Sequence, residues 1–152
     1  MKQITIILCL LLAVCIKASA QDALYIVDGK VSKTDIKPAD VLSVTILDSV
    51  KLDSLNWKHY KYGVTIIVTK QGAIQAYQHK LAALNKKYRD YLSKKHDDSN
   101  LAYVLNNNIL NLKRKSSLDE LYELKPDDIK SVTFKKDEHF TTDATVVITT
   151  KE

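Results

Sequence analysis

Apolar and polar positions alternate along this chain in short blocks, and one long block changes the period. Residues 24–27, Leu-Tyr-Ile-Val, form an apolar run that stops at Asp28-Gly29. A run of this composition before a turn pair predicts a strand. Pro38 suits the first position of a helical turn, where its missing N–H costs nothing. Asp40 then lies near that turn's positive end. Residues 42–48 alternate in a β-rich run and predict a second strand. Residues 51–63 are polar and aromatic, as in a loop. Residues 64–70, Val-Thr-Ile-Ile-Val-Thr-Lys, predict a third strand, β-branched at six consecutive positions. From Ala73 to Lys95 the spacing becomes three and four. Ile74, Tyr77, Leu81, Leu84, Tyr88, Tyr91 and Leu92 share one face, which predicts a long amphipathic helix. His-Asp-Asp-Ser-Asn at 96–100 ends it with turn formers.

The pattern then repeats. Residues 101–108, Leu-Ala-Tyr-Val-Leu-Asn-Asn-Asn, restate the opening strand, with Asn106-Asn107 in the place of Asp28-Gly29. Asn accepts the left-handed backbone that such a turn needs. A short helix follows, with Ser117-x-x-Glu120 as a candidate capping box ahead of Leu118, Leu121 and Leu124. Pro126, Asp128, Ser131, Val132 and Thr133 match Pro38, Asp40, Ser43, Val44 and Thr45 at an offset of 88. Residues 143–150 match 63–70 at an offset of 80. Unequal offsets place the length differences in loops. The expected architecture is α+β: two copies of a strand, helical turn, strand, strand (βαββ) unit joined by a long amphipathic helix. The expected divisions are 1–20, 21–72, 73–99 and 100–152.

The first of these divisions reads as an export signal. One early Lys precedes an unbroken apolar run of 13 residues, Ile4 to Ile16, and small residues at Ala18 and Ala20 complete an A-x-A site. Cleavage there would leave Gln21 first. The run is short for a membrane span. A lipid anchor on Cys15 is the competing reading, with Val14 a poor fit before it. Both cysteines, Cys9 and Cys15, would leave with the signal, so no disulfide or thiol chemistry is expected of the 132 residues that follow. With Lys2 and Lys17 gone, the formal charge falls from +5 to +3. The lysines are scattered rather than striped, and export argues against nucleic acid as a partner.

In order along the chain, Tyr25, Val27, Asp28 and Gly29; Pro38, Asp40, Val41, Ser43 and Val44; Leu47 and Asp48; Tyr62 and Gly63; and Ile66 to Lys70 form a linked series. This series resembles the plug domain of TonB-dependent outer-membrane receptors, in the form seen in Bacteroidetes. That form runs from a YVIDG strand through an I-x-P-x-D-I-x-S-I-x-V-L-K-D segment and a YG to GVIIITTKKG. The likeness covers residues 24–72 and, more faintly, 101–151. It implies two plug-like halves and a place in the periplasm or at the surface of a Gram-negative cell. The chain departs from the family in carrying no evident energy-coupling box near Gln21 and no Gly/Asn-rich segment before the last plug strand. With Glu152 the last residue and no barrel after it, the expectation is a free-standing module, without the family's transport.

Catalysis needs converging groups, and the sequence offers few. His59, His79, His96 and His139 stand at no metal-ligand spacing. The pairs Asp97-Asp98 and Asp127-Asp128 could share protons or hold Ca²⁺, although the second follows Pro126 at a helix start. Ser43 and Ser131 have no base nearby in sequence, and no nucleophile elbow, phosphate loop or zinc motif occurs. No enzyme activity, cofactor or metal is expected. Residues 56–62 are the candidate binding segment: Trp57, His59, Tyr60 and Tyr62 interleave with Lys58 and Lys61, a combination common in binding hot spots. The expected function is a secreted, non-enzymatic module binding a protein of the cell envelope. The alternative is carbohydrate or another small ligand bound through residues 56–62.

Overall fold

The computed structural model describes residues 24–32, 36–48, 63–136 and 142–151. β1 (Leu24–Val27), β2 (Lys30–Ser32), a 3-10 turn (Pro38–Asp40), β3 (Val41–Leu47) and β4 (Val64–Thr69) build the first sheet, in the order β2-β1-β4-β3. α1 (Lys70–Leu84) and α2 (Lys86–Lys95) follow. β5 (Leu101–Leu105), β6 (Asn108–Leu110), α3 (Lys115–Glu123), a 3-10 turn (Pro126–Asp128), β7 (Ile129–Lys136) and β8 (Ala144–Thr150) build the second sheet, in the order β6-β5-β8-β7. Both sheets hold an antiparallel hairpin, a parallel central pair and an antiparallel outer pair. The fold is therefore α+β with two similar halves, as the repeated pattern predicts. Each half gains one strand beyond the expected three, the three-residue return arm of its hairpin.

The hairpin turns explain why unlike letters give one shape. Asp28 and Gly29 have φ of 48° and 78°, and Asn106 and Asn107 have 47° and 70°. Two successive positive φ values make the turn type that matches strand twist. The first turn residue also clamps the last strand of its half. Asp28 accepts from Thr69 N (2.8 Å) and Thr69 Oγ1 (2.7 Å). Asn106 accepts from Thr150 N (2.9 Å) and donates to Thr150 Oγ1 (2.8 Å). Thr69 in turn caps α1 by accepting from Gly72 N (2.9 Å).

Further sequence expectations change, and Lys70, expected to end the third strand, instead begins α1. First, Val27 and Val44 both stand opposite Ile67, and their equivalents Leu105 and Val132 both stand opposite Ile148. The last strands therefore correspond at an offset of 81, not 80. In a strand, one residue decides which face a side chain takes. Second, the long helix is two helices. Asn85 leaves the helical region (φ −137°, ψ 114°) and caps α2 by accepting from Tyr88 N. Its side chain also donates to Val132 O in β7 at 2.8 Å. The apolar spacing continues across the break, so periodicity conceals it. Third, the Ser117–Glu120 capping box does not form. The turn at Asn111, whose side chain accepts from Lys113 N, starts α3 three residues earlier, with Arg114 at the cap and no side-chain bond.

α1, α2 and α3 cover one face of the second sheet. Tyr77, Leu81, Tyr88, Leu118 and Leu121 pack there with Tyr103, Leu105, Val146 and Ile148. From the first sheet, Leu42 joins this core and Val68 packs against it. Leu84, expected on the buried helical face, is exposed.

Candidate partner-binding surface

Residues directly opposite each other in neighbouring strands share a face, and every second residue returns to it. In the second sheet, one row is Leu110, Tyr103, Val146 and Phe134, and the next on that face is Asn108, Leu105, Ile148 and Val132. This is the helix-covered face. The equivalent rows of the first sheet are Ser32, Tyr25, Thr65 and Ile46, then Lys30, Val27, Ile67 and Val44. Ser32 and Thr65 stand where the twin has Leu110 and Val146, but Tyr25, Val27, Ile67, Val44 and Ile46 keep the apolar character of their counterparts. Yet Tyr25 is 44% exposed, Val44 54% and Ile46 68%. Val27 and Ile67 are half-buried. The first half writes a core face and leaves much of it in solvent.

The other constellation of note is buried. Asp98 Oδ2 accepts from Tyr77 OH (2.6 Å) and from Tyr103 OH (2.5 Å). Tyr103 has spent its one proton, so the 2.8 Å contact with Tyr88 OH makes Tyr88 the donor. Tyr103 also meets the rings of Tyr77 and Tyr88 edge to face. A carboxyl and three phenols thus tie α1, α2 and β5 together, with every donor used. Beside them Tyr91 OH donates to Asp143 (2.8 Å), which also accepts from Asn100. The cluster is sealed inside the core, and its chemistry is structural.

Burial disfavours phenolate. It pushes Tyr77, Tyr103 and Tyr88 well above the ordinary tyrosine range, with Asp98's charge adding to the effect. Tyr91 is pushed up to about 12, by burial first and by its bond to Asp143. An unfolded tyrosine ionises near pH ~10. Because these folded values are raised, the stability they carry is intact below about pH 10 and is lost as pH climbs above it. An alkaline titration followed at 295 nm should show these four phenols ionising only together with loss of the far-ultraviolet circular dichroism. Ionisation of all eight tyrosines near pH ~10 with the dichroism intact would contradict this.

The other sequence candidates disperse. Asp97 accepts from Ser99 in a local turn while Asp98 turns inward, so that pair does not converge. Asp127 and Asp128 are exposed on their 3-10 turn, Ser131 is exposed and Ser43 is half-buried. His79 is exposed on α1 and His96 ends α2 with φ of 63°. Among the described residues, no three His, Cys, Asp or Glu gather as metal ligands. No helix among them is long and apolar enough to cross a membrane. Trp57, His59, Tyr60, Tyr62 and His139, and the signal residues Cys15, Ala18, Ala20 and Gln21, lie outside the described residues.

One open groove of about 630 Å³ runs along α1, lined by Gln75, Ala76, His79, Lys80, Ala83, Leu84 and Pro126. Lys80 is occupied there. Its ammonium donates to the carbonyls of Leu121 (3.2 Å), Tyr122 (2.9 Å) and Leu124, closing the C-terminus of α3. Desolvation lowers its pKa, opposed by the charge of Glu123.

Sequence reasoning missed Tyr25, Val44 and Ile46 as a surface. The available signal was that β3 is apolar at both parities, in a half with few residues to cover two faces. Comparison with known families, with curated proteins and with solved structures finds no match to this chain.

Proposed function

We propose that this chain is an exported, non-enzymatic module that binds a protein partner in the cell envelope. One observation carries the reading: the first sheet leaves exposed the face that its twin buries under three helices. A contiguous apolar patch on a folded chain marks an interaction site far more often than a scattered apolar residue does. The signal-like N-terminus and the plug resemblance of residues 24–72 support an envelope setting, and the resemblance suggests descent from a module that works among envelope proteins. Immobilised protein should recover a specific partner from envelope extracts of a Gram-negative cell, and Tyr25→Lys, a substitution at an exposed site on β1, should abolish the recovery. Trp57→Ala in the same experiment separates this face from the aromatic segment. Recovery of no specific protein, or recovery unaffected by Tyr25→Lys, would count against the reading.

A further inference from the structure

β3 and β7 occupy the same place in their sheets, the outer edge beside the last strand. β7 is guarded: Lys130, Lys135 and Lys136 lie along it. Charged residues on an edge, Lys above all, hinder the addition of another strand. β3 reads Val-Leu-Ser-Val-Thr-Ile-Leu, seven residues without a charge or a proline. Among the described residues it pairs with β4 alone.

The hydrogen-bonding groups of that edge can be assigned. Ile67 O accepts from Asp28 N on the β1 side of β4. By strand alternation, Ile66 and Val68 turn their backbone groups toward β3, where Thr45 and Ser43 stand opposite. Val44 and Ile46 therefore turn their N–H and C=O outward, along the open edge. The same two residues carry the most exposed large apolar side chains of the uncovered face.

Charge selects what can pair there. Exposed Asp40 and Asp48 bracket β3 at its two ends. Two copies of β3 paired antiparallel about Val44 would set Asp40 of each opposite Asp48 of the other, and like charges directly opposite destabilise a strand pair. A strand with basic ends meets both carboxylates, whichever direction it runs.

Resting on the protein-binding reading above, we infer that the partner docks by strand addition: an extended segment of the partner, apolar and β-branched at its centre and Lys- or Arg-flanked, pairs with β3 and prolongs the uncovered face. Main-chain bonds then supply affinity and alternate side chains supply selection.

The test uses the full chain and a fluorescein-labelled peptide of alternating Val and Thr with two Lys at each end, followed by anisotropy. Saturable binding is expected, at least tenfold tighter than for the same core with Glu ends. Val44→Pro removes an outward N–H and leaves the β4 ladder intact, so it should abolish binding. Thr45→Lys, at an exposed position, should weaken it at least tenfold, and Asp40→Lys should narrow or reverse the preference for Lys ends. Thr133→Lys on β7 should change nothing. Equal affinity for both peptides, no saturable binding, or sedimentation showing a dimer that Thr45→Lys dissolves would overturn strand addition by a basic partner. Envelope recovery lost in Tyr25→Lys but kept in both Val44→Pro and Thr45→Lys would overturn the edge site and leave the binding-module reading standing. Failure of the wild-type chain to recover any protein would instead strike that reading itself.

Discussion

Replacing Asp98 with alanine is expected to lower stability by about 2–4 kcal/mol, the range for removing hydrogen bonds to a charged group and stranding their buried donors. Asp98 is the acceptor for both Tyr77 and Tyr103, and through Tyr103 it also orients Tyr88. Without it, the Tyr77 and Tyr103 hydroxyls face the core with one acceptor fewer than they need. The helices and the sheet would then lose a shared anchor together. For a chain of this size the loss corresponds to a fall in Tm on the order of 10 °C. Chemical denaturation of wild type, Asp98→Ala, Tyr103→Phe and Asp98→Ala/Tyr103→Phe would measure it. The second substitution removes one stranded hydroxyl, so the double variant should lose less than the two single losses added together. A loss under ~0.5 kcal/mol for Asp98→Ala, the range of an ordinary surface change, would show that the cluster is not an anchor.

The second large effect falls on Gly72. A Cβ added there would lie 2.0 Å from Asp28 Oδ1. The carboxylate would have to leave, and with it the bonds to Thr69 N and Thr69 Oγ1 that tie the first turn to the last strand and to the start of α1. Alanine improves helix propensity by up to ~1 kcal/mol over glycine, whereas two bonds to a charged acceptor, both exposed to solvent, are worth about 1.5 kcal/mol each, the low end for such bonds. The loss outweighs the gain, and Gly72→Ala should cost about 1.5–3 kcal/mol. In an Asp28→Ala background the three atoms nearest the methyl group are gone, so the same substitution should become neutral or stabilising. Asp28→Asn should cost under ~1 kcal/mol, because Asn106 performs the same clamp on Thr150. A Gly72→Ala penalty of equal size in both backgrounds would mean that the contact with Asp28 is not its cause.

Local signals were enough for much of this fold. Asp28-Gly29 and Asn106-Asn107 announced their turns because positive φ restricts the residues that can stand there. Pro38 and Pro126 announced their helical turns because a fixed φ suits the first position. The β-branched runs at 64–69 and 145–150 announced strands. Their order, written twice, established two similar halves before any contact was known.

What escaped the letters was decided at long range. Tyr77 and Tyr103 reach Asp98 from 21 and 5 residues away, and an Asp beside another Asp in a polar turn shows no sign of an inward path. Asn85 breaks the helix while its side chain bonds to β7, 47 residues away, and the apolar spacing runs on through the break. The correct offset of the last strands appeared only from their pairing partners. Above all, hydrophobic pattern specifies that a strand has an apolar face and cannot specify what covers it. α1, α2 and α3 lie on the second sheet, and the short link between β2 and β3 holds no counterpart of α3 among its described residues. Tyr103 and Tyr25 carry the same letter at equivalent positions, one enclosed and one in solvent. The elements and their repetition follow from backbone sterics and side-chain period, which each short stretch of residues carries on its own. Tertiary packing alone decided that one half became a core and the other a surface, because burial belongs to the arrangement of distant segments and not to any residue in it.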